Sequence, residues 1–133
     1  MIFLAIPVDV ALPGAVLQVA LLGTLALIII FILIVFVEAV VLQLIGWGDR
    51  RAAFKAAFWM NLASTAAGFL LLAFVNRLTG FGLVLAWAVS VIIEGLVLKR
   101  SSPRGTRFHW YASLLANLVS YLLLILPAYL LRG

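Results

Sequence analysis

The sequence predicts an all-α integral membrane protein of four transmembrane helices, built from two tandem, parallel two-helix hairpin repeats. Hydrophobic residues make up 68% of the chain and charged residues only 10%, a balance with which a water-soluble domain could not cover its own surface. At roughly 20 residues per span, four helices nearly exhaust the 133 residues and leave no room for a soluble catalytic domain. A polar signature also occurs twice. Glu38 is followed by Asn61 at i+23 and Ser64 at i+26, and Glu94 by Asn117 at i+23 and Ser120 at i+26. Sliding the chain by 56 positions gives 8 identities over the 27 positions from Glu38 to Ser64 without a gap, among them Arg51 with Arg107 and Ala56 with Ala112. Apolar matches are cheap in this composition, whereas Glu, Asn and Ser are scarce, so their shared register carries the signal.

The first helix is expected over residues 14–45, roughly 48 Å of helix against about 30 Å of hydrocarbon. The repeat sets Glu38 level with Glu94, so a span ending near Leu42 needs to begin only near Gly23. The surplus from Pro13 to Leu22 has a single polar side chain, Gln18, and is expected to dock against another protein or along the outer leaflet. The second helix is expected over 56–75, closed by the turn at Asn76-Arg77-Leu78-Thr79-Gly80. The third, over 81–98, ends at a polar loop containing Pro103 and Gly105, both of which oppose continuation. The fourth is expected over 110–131. The whole reads as a single membrane domain, 1–133, with one repeat over about 24–77 and the other over about 80–133. Met1 to Asp9 contains no basic side chain, unlike the start of a secretory signal, so the N-terminus is expected to be retained.

Of nine Lys and Arg residues, Arg50, Arg51 and Lys55 are assigned to the first loop and Lys99, Arg100, Arg104 and Arg107 to the third. These seven share one side, which the positive-inside rule makes cytoplasmic, with both termini outside. The bacterial inner membrane is the expected location. In a soluble protein the formal charge of +5 would suggest nucleic acid, but in short loops between apolar runs it marks topology and headgroup contact. Trp47, Trp59, Phe108, His109, Trp110 and Tyr111 flank the same loops, where an interfacial aromatic belt belongs.

Glu94 is five residues from Lys99 and Asn61 six from Lys55, so each hairpin is expected to hold a Glu and an Asn abreast near the cytoplasmic edge. Asn can donate to a carboxylate and accept from a carboxylic acid. Ser64 and Ser120 follow each Asn at i+3, and Ala57 and Ser113 precede at i−4, giving a stripe of small and polar residues suited to close helix approach. Glu38, Asn61, Ser64, Glu94, Asn117 and Ser120 are thus the candidate site, either a duplicated interhelical clamp neutralised from the basic loops or a proton or cation site.

No cysteine is present, which excludes disulfides, iron–sulfur ligation and thiol catalysis by this chain. One histidine cannot form a two-histidine metal or haem site, and zinc and hydrolase motifs are absent. Gly46-Trp47-Gly48-Asp49 has neither the spacing nor the preceding strand of a nucleotide loop. Met60 is expected to face lipid or pack. The function expected is that of a non-enzymatic structural or accessory subunit of a larger membrane complex, with no cofactor specified. Its expected partners are the lipid bilayer and other membrane subunits or further copies of itself, not nucleic acid. The alternative is a small homo-oligomeric ion or proton-coupled transporter or channel using Glu38 and Glu94.

Overall fold

The computed structural model describes residues 13–72, 80–102 and 106–131, and all its regular structure is helical. The four helices are α1 (Pro13–Leu44), α2 (Arg50–Leu72), α3 (Gly80–Ser101) and α4 (Thr106–Ser120). A π-helical turn over Tyr121–Ile125 and a last short helix, α5 (Leu126–Leu130), extend α4. Two stretches, Leu17–Leu44 and Arg107–Ile125, are long and apolar enough to cross a membrane. The Asn76–Thr79 turn, Pro103, Gly105, Arg77, Arg104, Arg132 and the segment before Pro13 lie outside the described residues.

The basic residues expected in loops lie on helices instead. Arg50, Arg51 and Lys55 occupy the first two turns of α2, Lys99 and Arg100 the last turn of α3, and Arg107 the first turn of α4. Arg and Lys are good helix formers, so their charge does not by itself end a helix. What starts α2 is Asp49, whose Oδ1 accepts the Ala52 backbone N–H at 2.7 Å while its carbonyl accepts from Ala53 N at 2.9 Å. An N-cap of this kind satisfies donors that the first turn leaves unpaired.

What ends α1 is Gly46, with φ of 70° in the left-handed region that a side chain disfavours. Gly46 N donates to Gln43 O at 3.0 Å and Trp47 N to Leu42 O at 2.9 Å. This is the paired bonding of a Schellman cap, whose usual companion is an apolar contact between the residue after the glycine and the last turn. Trp47 and Leu42 are both buried here.

The chain divides into two compact units, the first ending at Phe31 and the second beginning at Ile32. In the first, Leu17 to Ile30 are all exposed, and Thr24 Oγ1 donates to Ala20 O at 2.9 Å within the helix. In the second, α3 packs against both α2 and α4. The buried stripe of α2 is Ala53, Ala56, Ala57, Met60, Asn61 and Ser64, and that of α4 is His109, Ala112, Ser113, Ala116, Asn117 and Ser120. Each residue of the second set lies 56 positions after one of the first. Five of the twelve are Ala, small residues that suit close helix approach, and Met60, expected to face lipid or pack, packs with no exposed surface.

Candidate functional site

The buried stripes carry their polar residues to one centre within the second unit. Asn61 Nδ2 donates to Glu38 Oε2 at 2.6 Å and to Ala57 O, one turn back on its own helix, at 2.9 Å. At the equivalent place in the second hairpin, Asn117 Nδ2 donates to Glu94 Oε2 at 2.5 Å and to Ser113 O at 3.1 Å. An amide NH2 has two protons, so each Asn ties its own helix to the neighbouring one and uses both. The back-bond also accommodates a residue of modest helix propensity in a helix interior.

The serines cross between hairpins. Ser120 Oγ donates to Glu38 Oε1 at 2.7 Å, and Ser64 hydrogen-bonds Glu94. Each hydroxyl also lies 3.2 Å from the carbonyl of the Asn three residues earlier. One hydroxyl proton serves one acceptor at a time, and for Ser120 the carboxylate is the nearer. Each Glu therefore takes an amide from its own hairpin and a hydroxyl from the other, and side chains from α1, α2, α3 and α4 meet in one network. The two carboxylates lie close enough to interact electrostatically.

All six candidate residues are buried: Glu38, Glu94, Asn117 and Ser120 are each 1% exposed, Asn61 5% and Ser64 9%. Among the described residues no Lys or Arg pairs with either carboxylate, so none of the described basic groups supplies the expected neutralisation, and Arg104 lies outside the described residues. Arg50, Arg51, Lys55, Lys99, Arg100 and Arg107 are exposed at the helix ends. Among the described residues the carboxylates are held by neutral donors alone. Among the described residues no group of three or more His, Cys, Asp and Glu converges on a metal site.

Three contacts were not legible in the residue pattern. Trp47 Nε1 donates to His109 Nδ1 at 3.2 Å, with the rings edge to face at 6.4 Å. Trp47 is 4% exposed and His109 0%, so these two leave the expected aromatic belt and face inward, while Trp59 and Tyr111 are exposed. The cue lay in Gly46, whose turn aims Trp47 back toward α1. Ser113 Oγ, expected only as a small packing residue, donates to Val91 O on α3 at 2.8 Å. Gly95 of α3 lies under the Trp110 ring of α4, where an added Cβ would come within 2.5 Å of a ring carbon.

No protein-family model, no curated protein and no solved structure matches the chain.

Proposed function

We propose that the chain is a non-enzymatic structural or accessory subunit of a larger membrane assembly, whose two tandem hairpins are locked by a duplicated Glu–Asn–Ser clamp. The observation that carries this reading is the closure of the polar network. Every candidate side chain is buried, and the donors of Asn61, Asn117, Ser64 and Ser120 are spent inside the protein. A hydrated ion needs an open, polar approach, and a clamp needs none. In hydrocarbon the alternative to a satisfied polar group is an unsatisfied one, which makes such a knot a specific choice of helix partner and depth.

Placement across a membrane by all four helices is part of the proposal, with both termini outside and the basic helix ends cytoplasmic in a bacterial inner membrane. It is supported by the exposed Leu70, Phe69, Phe81, Leu85, Leu122, Leu123 and Leu130, a surface that water would drive into aggregates. The accessory role is supported by the exposed apolar length of α1, in which Leu17 and Leu21 are 60% and 54% exposed. Mass spectrometry of the protein extracted intact in mild detergent tests the role. Stoichiometric membrane partners are expected, and a pure homo-oligomer would overturn it.

A second reading, proton- or cation-coupled transport, is favoured by one feature, that two neighbouring carboxylates are buried without a basic partner among the described residues. Ionised together in hydrocarbon they would be costly, and a proton or cation would relieve them. Ion flux through variants with glutamine at Glu38 and Glu94 separates the two readings.

A further inference from the structure

A cavity of about 360 Å³ opens between α3 and the far half of the fourth helix, lined by Val84, Trp87, Leu118, Tyr121, Ile125, Tyr129 and two further leucines. Its size falls within the range of small-molecule sites. The lining is almost wholly apolar, yet Trp87 Nε1 is buried without a hydrogen-bond partner among the described residues. A buried donor without an acceptor is unfavourable, so an occupant that supplies an acceptor is favoured there. The Trp87 ring is half-buried and forms part of the cavity lining.

The first hairpin lacks these groups. Shifted back by 56 positions, Trp87 becomes Phe31, Tyr121 becomes Thr65, Tyr129 becomes Ala73, and Ser90, which hydrogen-bonds Tyr121, becomes Ile34. Leu118 remains Leu62. The aromatic and polar members are therefore peculiar to the second hairpin, and a packing demand common to both hairpins does not account for them. The wall is shaped by the π-helical turn at Tyr121–Ile125, in which Leu126 N bonds to Tyr121 O. Such turns widen a helix and recur at functional sites.

We propose that this cavity binds a membrane-dissolved carbonyl compound with a flat unsaturated ring, the chemistry of a quinone, whose oxygen accepts from Trp87 Nε1. Depth selects this class, given the membrane placement proposed above. Trp87 is eleven residues from Leu98 at the basic end of α3, roughly 16 Å along the helix and so about half of a 30 Å hydrocarbon layer. Phospholipid ester carbonyls stay near the interface and do not reach that level. A ring carrying its own carbonyl does, and Trp87, Tyr121 and Tyr129 offer it aromatic surfaces.

The test is titration of the purified full chain, in detergent micelles, with a benzoquinone bearing a ten-carbon tail, followed by calorimetry. Saturable binding near one per chain is expected. Trp87→Phe, which keeps the ring and removes the donor, should weaken it about tenfold. Ile125→Trp, which fills the cavity, should abolish it, and Phe69→Leu at the counterpart of Ile125 should leave it unchanged. Absence of saturable binding by a wild-type chain of intact helix content overturns the proposal. So does equal affinity of the Trp87→Phe and Ile125→Trp variants and the wild type. The wild type has no cysteine, so a single Leu122→Cys probe oxidised with copper phenanthroline also serves, provided that the quinone ring is fully substituted and adds no thiol. A disulfide-linked dimer that this quinone does not suppress would assign the cavity to a second copy and overturn the proposal. None of these results bears on the coupling energies that test the clamp, so the two readings fail independently.

Discussion

Ser120 Oγ and Glu38 Oε1 are 2.7 Å apart across 82 residues of sequence, which makes the first hairpin's carboxylate dependent on the second hairpin's hydroxyl. The reciprocal bond from Ser64 to Glu94 makes the dependence mutual. Neither hairpin can satisfy its own Glu alone, so the network resists separation of the halves as well as slippage within each.

A double-mutant cycle on Glu38→Ala and Ser120→Ala, read from unfolding in mixed micelles, should give a coupling of roughly 0.5–2 kcal/mol, the range for polar pairs between membrane helices. Glu94 with Ser64 should match it, and so should the within-hairpin pairs Glu38–Asn61 and Glu94–Asn117. Additive losses in all four cycles would refute the clamp.

Much of this centre is legible in the sequence because Glu, Asn and Ser are rare in an apolar background and hold a common spacing. That spacing sets which residues are level across an antiparallel hairpin. It does not set rotation about the helix axes, which is why the crossing of Ser120 to Glu38 had to come from packing. The helix ends were less legible. Treating Arg50, Arg51 and Lys55 as loop overlooked that basic residues are good helix formers, and the informative residues were Asp49 as cap and Gly46 as stop. The π-helical turn had a cue in Pro127, which has no N–H and crowds the carbonyl four residues before it, so the preceding turn loosens.

Glu38→Gln and Glu94→Gln retain hydrogen-bond acceptors and remove the charge. As a clamp, either variant should keep the helical fold and lose about 1–3 kcal/mol of stability, because one amide oxygen still accepts from Ser or Asn while the new NH2 faces the other donor. In protein reconstituted into vesicles, neither should alter proton or cation flux from the wild-type level. Flux present in wild type and abolished in both variants would overturn the clamp reading in favour of transport.

The proposed orientation places Ser101, exposed at the basic end of α3, on the cytoplasmic side and Gly133 outside. Because the chain has no cysteine, Ser101→Cys and Gly133→Cys each provide a single probe. An impermeant thiol reagent added to intact spheroplasts should label the second and spare the first. Labelling of both from outside would refute the topology.

Gly95 and Trp110 form a tight small-against-large contact between α3 and α4, and their counterparts in the first hairpin are Ala39 and Phe54, a methyl larger and a ring smaller. The two pairs differ in opposite directions, as expected if the sum of the two volumes is what the helix separation fixes. Gly95→Ala would set its Cβ 2.5 and 2.6 Å from two Trp110 ring carbons, far inside van der Waals contact, so the ring or α4 must move. The expected cost is about 1–3 kcal/mol, that of overpacking a filled site, despite the better helix propensity of Ala. Trp110→Phe alone should also destabilise, by leaving space over Gly95. Combined, Gly95→Ala and Trp110→Phe reproduce the pair of the first hairpin and should recover most of the loss, giving a favourable coupling of about 1 kcal/mol or more in an unfolding cycle. Losses that simply add would show that the Trp110 ring escapes the clash without strain, and that volume matching between α3 and α4 is not what holds them at this distance.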